Sequence, residues 1–373
     1  MEFELTPSQH KLLDEIVWLA RERLTTPDRD AVSPSRAHWD ALRATGLTGI
    51  TYPREHGGRG VAGTLDLVLA MQALGYGGTD VPMVLALNCH LLGGVLPLSR
   101  CGTPEQQATW LPRLASGECY AARALTGAME AKLADGGFRI TGASETASAG
   151  LKPDLVLVFA QAPAASAGTS RQAFLVPLTA SDEIRWERSP GPALARADTL
   201  RLERVLVPHN MVLGRDDGGD ALPAELSSRD QLLVQATRLG LLQRLLETAL
   251  ESARKYTRGL KLKGVPPQRY QMLGHKLADL KVRFDAAELL LRRAAWQQER
   301  RDATADVALA GLAIDSSLLP AAFEVVRLQR DYALDENQAW TGLLSDAVEY
   351  GRSLYNPAQM RVTVNETLRA GTA

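Results

Sequence analysis

The chain has 373 residues, 45% hydrophobic and 23% charged, with a formal net charge of −1, so its length supports two or three domains with a large core. A near-neutral surface excludes the long-range field that nucleic acid or an anionic membrane would need, and neither is expected as a partner. The three cysteines, Cys89, Cys101 and Cys119, are odd in number and lack C-x-x-C spacing, which argues against a disulfide framework or a zinc site and for a reducing cytoplasm.

Met1–Gln9 carries Glu2 and Glu4 without an apolar core, so no signal or transit peptide is expected. No apolar run is expected to reach the roughly 20 residues of a membrane-spanning helix. From Thr6 to about Gly117 the pattern is helical, interrupted at Tyr52-Pro53-Arg54-Glu55-His56-Gly57-Gly58, where proline and paired glycines predict a loop. Helical periodicity resumes over Leu65–Leu74 and Val81–Leu98, and Thr103-Pro104-Glu105 opens a further helix with a cap and a first-turn proline. Between Tyr120 and Gly214, short runs at Phe138–Ile140, Leu155–Phe159 and Ala173–Val176 predict strands. The Ala/Gly/Ser stretch Ala164–Ser170 predicts a hairpin loop. Four long helices are expected near 228–258, 268–299, 303–330 and 335–368, joined as a bundle. The fold class is therefore mainly α with a small β domain: a helical domain over 1–118, a β domain over 119–222 and a four-helix bundle over 223–373. There is no internal repeat and no Gly-rich phosphate loop, and the scattered histidines form no metal triad.

Several phrases carry a family likeness in the same order. They are Trp39–Tyr52 followed by Pro53 and Glu55–Gly58; Leu96–Gly117, containing G-T-P-E-Q-Q-A-T-W-L-P-R-L-A-S-G; Val205–Gly214, V-L-V-P-H-N-M-V-L-G; and Lys276–Leu280, K-L-A-D-L. Together they resemble the acyl-CoA dehydrogenase family over essentially the whole chain, which implies that family's helical domain, β domain and four-helix bundle. Met71–Gly75 and Cys89–Pro97 resemble the branch that oxidises aminoacyl groups, notably prolyl, on carrier proteins. The resemblance implies a thioester of an acyl carrier protein or CoA as partner. It also implies association through the bundle, as a homodimer, a homotetramer or a heteromer with an active paralogue.

Desaturating a thioester requires a carboxylate that removes the α-proton and a flavin that accepts the β-hydride. The sequence departs from the family's flavin contacts in four places. The T-E-P-x-A-G-S-D loop is reduced to Leu125–Glu130, keeping Thr126; the aromatic W/F-I-T-N becomes Thr146-Ala147-Ser148-Ala149, keeping a hydroxyl at Ser148. The R-x-Q-F-G segment falls on Tyr256–Leu260, and the two C-terminal glycine turns on Leu328–Tyr332 and Leu354–Asn356. The expectation is that no cofactor is bound; the alternative is FAD held through Thr126 and Ser148, with Lys261, Lys263 and Arg269 neutralising the pyrophosphate.

Asp230 aligns with the base position on the first bundle helix, with Leu233, Val234 and Thr237 expected as an apolar surround. Ser227-Ser228-Arg229-Asp230 equally fits a helix-capping box. His56 and His90 read as a loop residue and a satisfied core residue. Tyr332 and Tyr355 read as plugs of vacated flavin space, and with Tyr256 as alternative proton donors. Three functions remain open: a non-redox isomerisation, elimination or cyclisation of a thioester with Asp230 as proton shuttle, a non-catalytic partner of an active homologue, and a flavin-dependent dehydrogenase with an altered site.

Overall fold

The computed structural model describes residues 4–24, 36–54, 58–61, 63–126, 128–149, 151–163, 169–179, 182–188, 198–214, 221–262, 268–332, 344, 347–348 and 357–371. Helices flank a small sheet in sequence and dominate the chain, the expected fold class. By packing, the chain forms two compact units, residues 1–29, 63–81 and 231–373, and residues 30–62 and 82–230. The helices of the N-terminal region are thus divided between the units.

The sheet-bearing unit contains α2 (Arg36–Ala44), most of α4 (Val81–His90), α5 (Leu96–Cys101), α6 (Pro104–Ala115) and strands β1 (Ala121–Thr126), β2 (Met129–Ala134), β3 (Gly137–Ala147), β4 (Leu155–Pro163), β5 (Thr169–Pro177), β6 (Ile184–Glu187), β7 (Asp198–Pro208) and β8 (Val212–Leu213). The strand order is β6-β7-β3-β1-β4-β5-β8, with β2 pairing β3 and β4. The three predicted strands lie inside β3, β4 and β5, and the predicted hairpin is seen as the antiparallel β4–β5 pair closing at Pro163↔Thr169; its tip, 164–168, lies outside the described residues.

The Leu125–Glu130 stretch lies along β3. Thr126 pairs with Glu145 and Met129 with Gly142, three residues further along each strand, so that, past a register shift between Ala124 and Thr126, the end of β1 and β2 pair with β3 in one register.

Three of the characteristic phrases of the sequence, Trp39–Tyr52, Leu96–Gly117 and Val205–Gly214, turn out to be in mutual contact within this unit. Trp39 Nε1 donates to the Gly117 carbonyl at 2.8 Å, and Thr48 Oγ1 donates to the Ala115 carbonyl at 2.7 Å. Gln106 completes a capping box with Thr103, and its Nε2 donates to the carbonyls of Asn210 and Val212 at 2.8 and 2.7 Å. Side chains of the first two of these phrases thus satisfy backbone carbonyls of the second and third.

The other unit holds α1 (Pro7–Arg23), α3 (Thr64–Gly77), α7 (Ala221–Leu262) from Gln231 onward, α8 (Gln268–Gln298), α9 (Thr304–Tyr332) and α10 (Pro357–Arg369). The first three bundle helices fall where the periodicity predicts; the fourth, expected over 335–368, is described mainly at α10. Backbone contact between α3 and α7 depends on glycine: a Cβ on Gly75 would stand 2.1 Å from the Thr237 carbonyl oxygen, and one on Gly240 2.0 Å from that of Gln72.

Two expectations need correction. Ser227 does not begin a helix: α7 starts at Ala221, with Pro223 tolerated in its first turn, so Asp230 sits inside the helix rather than at its cap. Two helical stretches, Met83–Cys101 and Thr304–Arg327, do have the length and apolarity of a spanning segment, with 72% and 44% of their most apolar windows buried within the protein. Segments of this kind also form the cores of folded domains.

Candidate active site

The site is built where α4, β1 and α7 meet. After His90 the helix widens into a π turn over Leu91–Val95, a distortion that often marks functional positions. Its Gly93 and Gly94 admit β1, since Cβ atoms there would stand 2.4 Å from the Ala122 carbonyl carbon and 2.7 Å from the Ala121 Cβ. This close approach brings Asn88, near the end of α4, and Arg123, on β1, to a common partner. That partner is Asp230. Arg123 Nη2 donates to its Oδ2 at 2.9 Å, and Asn88 Nδ2 donates to its Oδ1 at 3.1 Å. Asn88, Arg123 and Asp230 are 2%, 5% and 7% exposed.

Asp230 thus has a guanidinium and an amide as polar partners, which the sequence did not announce. Cys89 also feels the pair: burial foremost, then the Asp230 charge, push its thiol up to about 12, against the opposing pull of Arg123. It is a poor nucleophile at neutral pH. Tyr120 closes one side, its hydroxyl donating to the Ser148 carbonyl at 2.7 Å, and burial raises its pKa well above the usual phenol range.

His90 is the satisfied core residue the sequence suggests. Its Nδ1 accepts from the Ala121 N–H at 3.2 Å, which puts the proton on Nε2, 3.0 Å from the Leu114 carbonyl. Burial lowers its pKa to about 4.

Of the two predicted flavin contacts, Ser148 is described in full. It is 1% exposed and donates its hydroxyl proton to Asp198 Oδ2 at 2.6 Å. Thr126 ends β1 opposite Glu145, two strand positions from the Ala124↔Thr146 pair that leads to Ser148. The side chain of Thr126 lies outside the described residues.

The remaining predicted residues are not gathered here. Tyr256 is half-buried on α7 within the other compact unit. His56, Lys263 and Tyr355 lie outside the described residues, as do the side chains of Lys261, Arg269 and Tyr332. A groove of about 810 Å³ between α6 and strands β5 to β7, lined by residues such as Gln106, Trp110 and His209, contains none of the predicted residues. Sequence reasoning missed Arg123 and Asn88. The available signal was Arg123 itself, a lone charge in Ala121-Ala122-Arg123-Ala124-Leu125, since a charge on an apolar strand calls for a buried partner.

Comparison with known proteins bears on both fold and chemistry. Residues 6–118 match the family described as acyl-CoA dehydrogenase, N-terminal domain, and residues 231–328 its C-terminal domain. An L-prolyl-[peptidyl-carrier protein] dehydrogenase of Pseudomonas fluorescens is 27% identical over 93% of this chain and 94% of its own length. A Serratia enzyme of the same name is 24% identical over 90% of each. The solved structure described as PigA with FAD and proline superposes with a TM-score of 0.81 over 100% of both chains at 22% identity.

These findings overturn the expectation of a chain without a cofactor. The matched relatives are dehydrogenases, whose reaction needs an electron acceptor that no protein side chain supplies, and the PigA structure holds FAD on this fold. Backbone donors and acceptors can hold a cofactor without regard to residue identity. The relatives lend no support to non-redox isomerisation, elimination or cyclisation. Matched at both ends by the family's two domains and along nearly its whole length by dehydrogenases of acyl thioesters, the chain belongs to the acyl-CoA dehydrogenase family.

Proposed function

We propose that this chain is an FAD-dependent dehydrogenase of an aminoacyl thioester on a carrier protein, of the prolyl kind, with Asp230 as the base. The observation that carries the reading is the buried carboxylate of Asp230, oriented on each oxygen by a donor from a different element, Asn88 on α4 and Arg123 on β1. The names of the Pseudomonas and Serratia relatives supply the substrate class.

Each Asp230 oxygen uses one lone pair on its protein partner, which leaves a second for the α-proton. Two anchors fix the carboxylate rotamer, so the base waits in one geometry and does not search for it. Burial of the trio excludes water that would otherwise compete for the proton. FAD, when bound, supplies the acceptor for the hydride. Ser148, buried beside Asp198, and Thr126, at the end of β1, are the residues that would hold its ring edge.

A carrier-bound thioester in preference to a CoA thioester, association through the bundle and a cytoplasmic location belong to the same reading. Association is supported by the exposed Val282 and Leu289 on α8 and Phe323 on α9; a reducing location is supported by three free cysteines.

The test is anaerobic titration of the FAD-supplemented protein with L-prolyl carrier protein. Bleaching of the flavin band is expected for the wild type, and a flavin that stays oxidised for Asp230→Asn. A wild-type flavin that the thioester leaves oxidised contradicts the proposal.

A further inference from the structure

Asn88 and Arg123 each hold Asp230 with one atom and leave another idle. Asn88 gives its Nδ2 to the carboxylate. Because a carboxylate only accepts, that amide orientation is fixed, and Oδ1 must point elsewhere. Among the described residues Asn88 Oδ1 has no hydrogen-bond partner, and neither does Arg123 Nε, although Arg123 Nη2 is engaged. Both side chains are more than nine-tenths buried, and buried polar atoms in native proteins are nearly always paired. The two idle atoms have opposite sense, one an acceptor and one a donor, and they flank the same carboxylate.

We propose that Asn88 Oδ1 and Arg123 Nε form a recognition pair for the amino N–H and the thioester carbonyl of an α-aminoacyl group, so that the site selects thioesters of α-amino acids that carry an N–H. The inference deepens the proposed function and rests on it for the role of Asp230. The carbon from which Asp230 takes a proton lies, in an α-aminoacyl thioester, between a carbonyl and a nitrogen. Such a group offers one acceptor and one donor on either side of the reacting carbon, the complement of what the trio leaves open. A plain acyl thioester offers only the carbonyl and would strand Asn88 Oδ1 in a dry site, and it is by such stranded polar groups that binding sites reject analogues most strongly. On the carbonyl side, the Arg123 N–H also faces the oxygen on which negative charge grows as the α-proton leaves.

The experiment compares two pantetheine thioesters of the same shape, that of L-proline and that of cyclopentanecarboxylic acid, in titration calorimetry against the full-length protein. The wild type is expected to bind the prolyl thioester about 10-fold or more tightly, and Asn88→Leu to bring the two within about 2-fold. Equal affinity of the wild type for both, or no binding of either, overturns the inference; because this comparison uses the unmodified chain, poor folding of the variant does not weaken it. Dehydrogenation is followed separately. Preference for the N–H thioester without turnover would keep this inference and remove the proposed function, and equal binding and turnover of both would do the reverse.

Discussion

Arg123 Nη2 lies 2.9 Å from Asp230 Oδ2, with the two side chains only 6% and 10% exposed. They come from β1 and α7, 107 positions apart in sequence. Both charges have left water, and each is the other's main compensation.

Breaking one side of this pair is expected to cost more than replacing both. Arg123→Met should lower the unfolding free energy by about 3–5 kcal/mol, since it leaves the carboxylate buried without its countercharge. The double variant Arg123→Met with Asp230→Leu should recover most of that loss. Urea unfolding of both variants checks the sign; a double variant less stable than Arg123→Met would contradict it.

His90 predicts a specific pH dependence. Its ordinary value is 6.5 and burial holds it near 4 in the folded protein. Between those values the unfolded chain binds a proton that the folded chain does not, so stability rises with pH across the window. The contribution is complete above about 6.5 and is lost as pH falls toward 4, by up to about 3 kcal/mol. His90→Gln should flatten this part of the stability profile, as measured by denaturant midpoints from pH 7 to pH 4.5. A variant with the wild-type slope would show that other groups produce it.

Helix contact in the bundle-bearing unit predicts opposite effects for two glycines. Gly240→Ala drives a methyl to 2.0 Å from the Gln72 carbonyl oxygen and should destabilise by about 3 kcal/mol. Gly274→Ala, on α8 with nothing within 4 Å of its Cβ position, should stabilise by about 0.5–1 kcal/mol through helix propensity. Thermal unfolding of the two variants against the wild type is the measurement.

Much of the architecture was legible because its signals are local. Thr103-Pro104-Glu105-Gln106 announces a capped helix, and Gln106 then uses the same side chain to tie that helix to Asn210 and Val212. Strands β3 to β5 follow from β-branched and aromatic runs for the same reason. The start of α7 was misjudged because Ser227-Ser228-Arg229-Asp230 satisfies the capping pattern without being used as one; Pro223, suited to a first turn, was the better marker. The site was legible only in Asp230. Its partners lie 107 and 142 positions away, and no periodicity joins residues so distant; only the approach of β1 to Gly93 and Gly94 does. The cofactor was misjudged for a related reason: motif residues are visible in a sequence, whereas contacts made by backbone are not.

The most direct measurement is the mass of the acyl group on the carrier after incubation of L-prolyl carrier protein with the FAD-supplemented chain and an electron acceptor. The prolyl group should become lighter by two hydrogens with the wild type and keep its mass with Asp230→Asn. An unchanged mass with the wild type, or full conversion by Asp230→Asn, would contradict a dehydrogenase that works through this carboxylate.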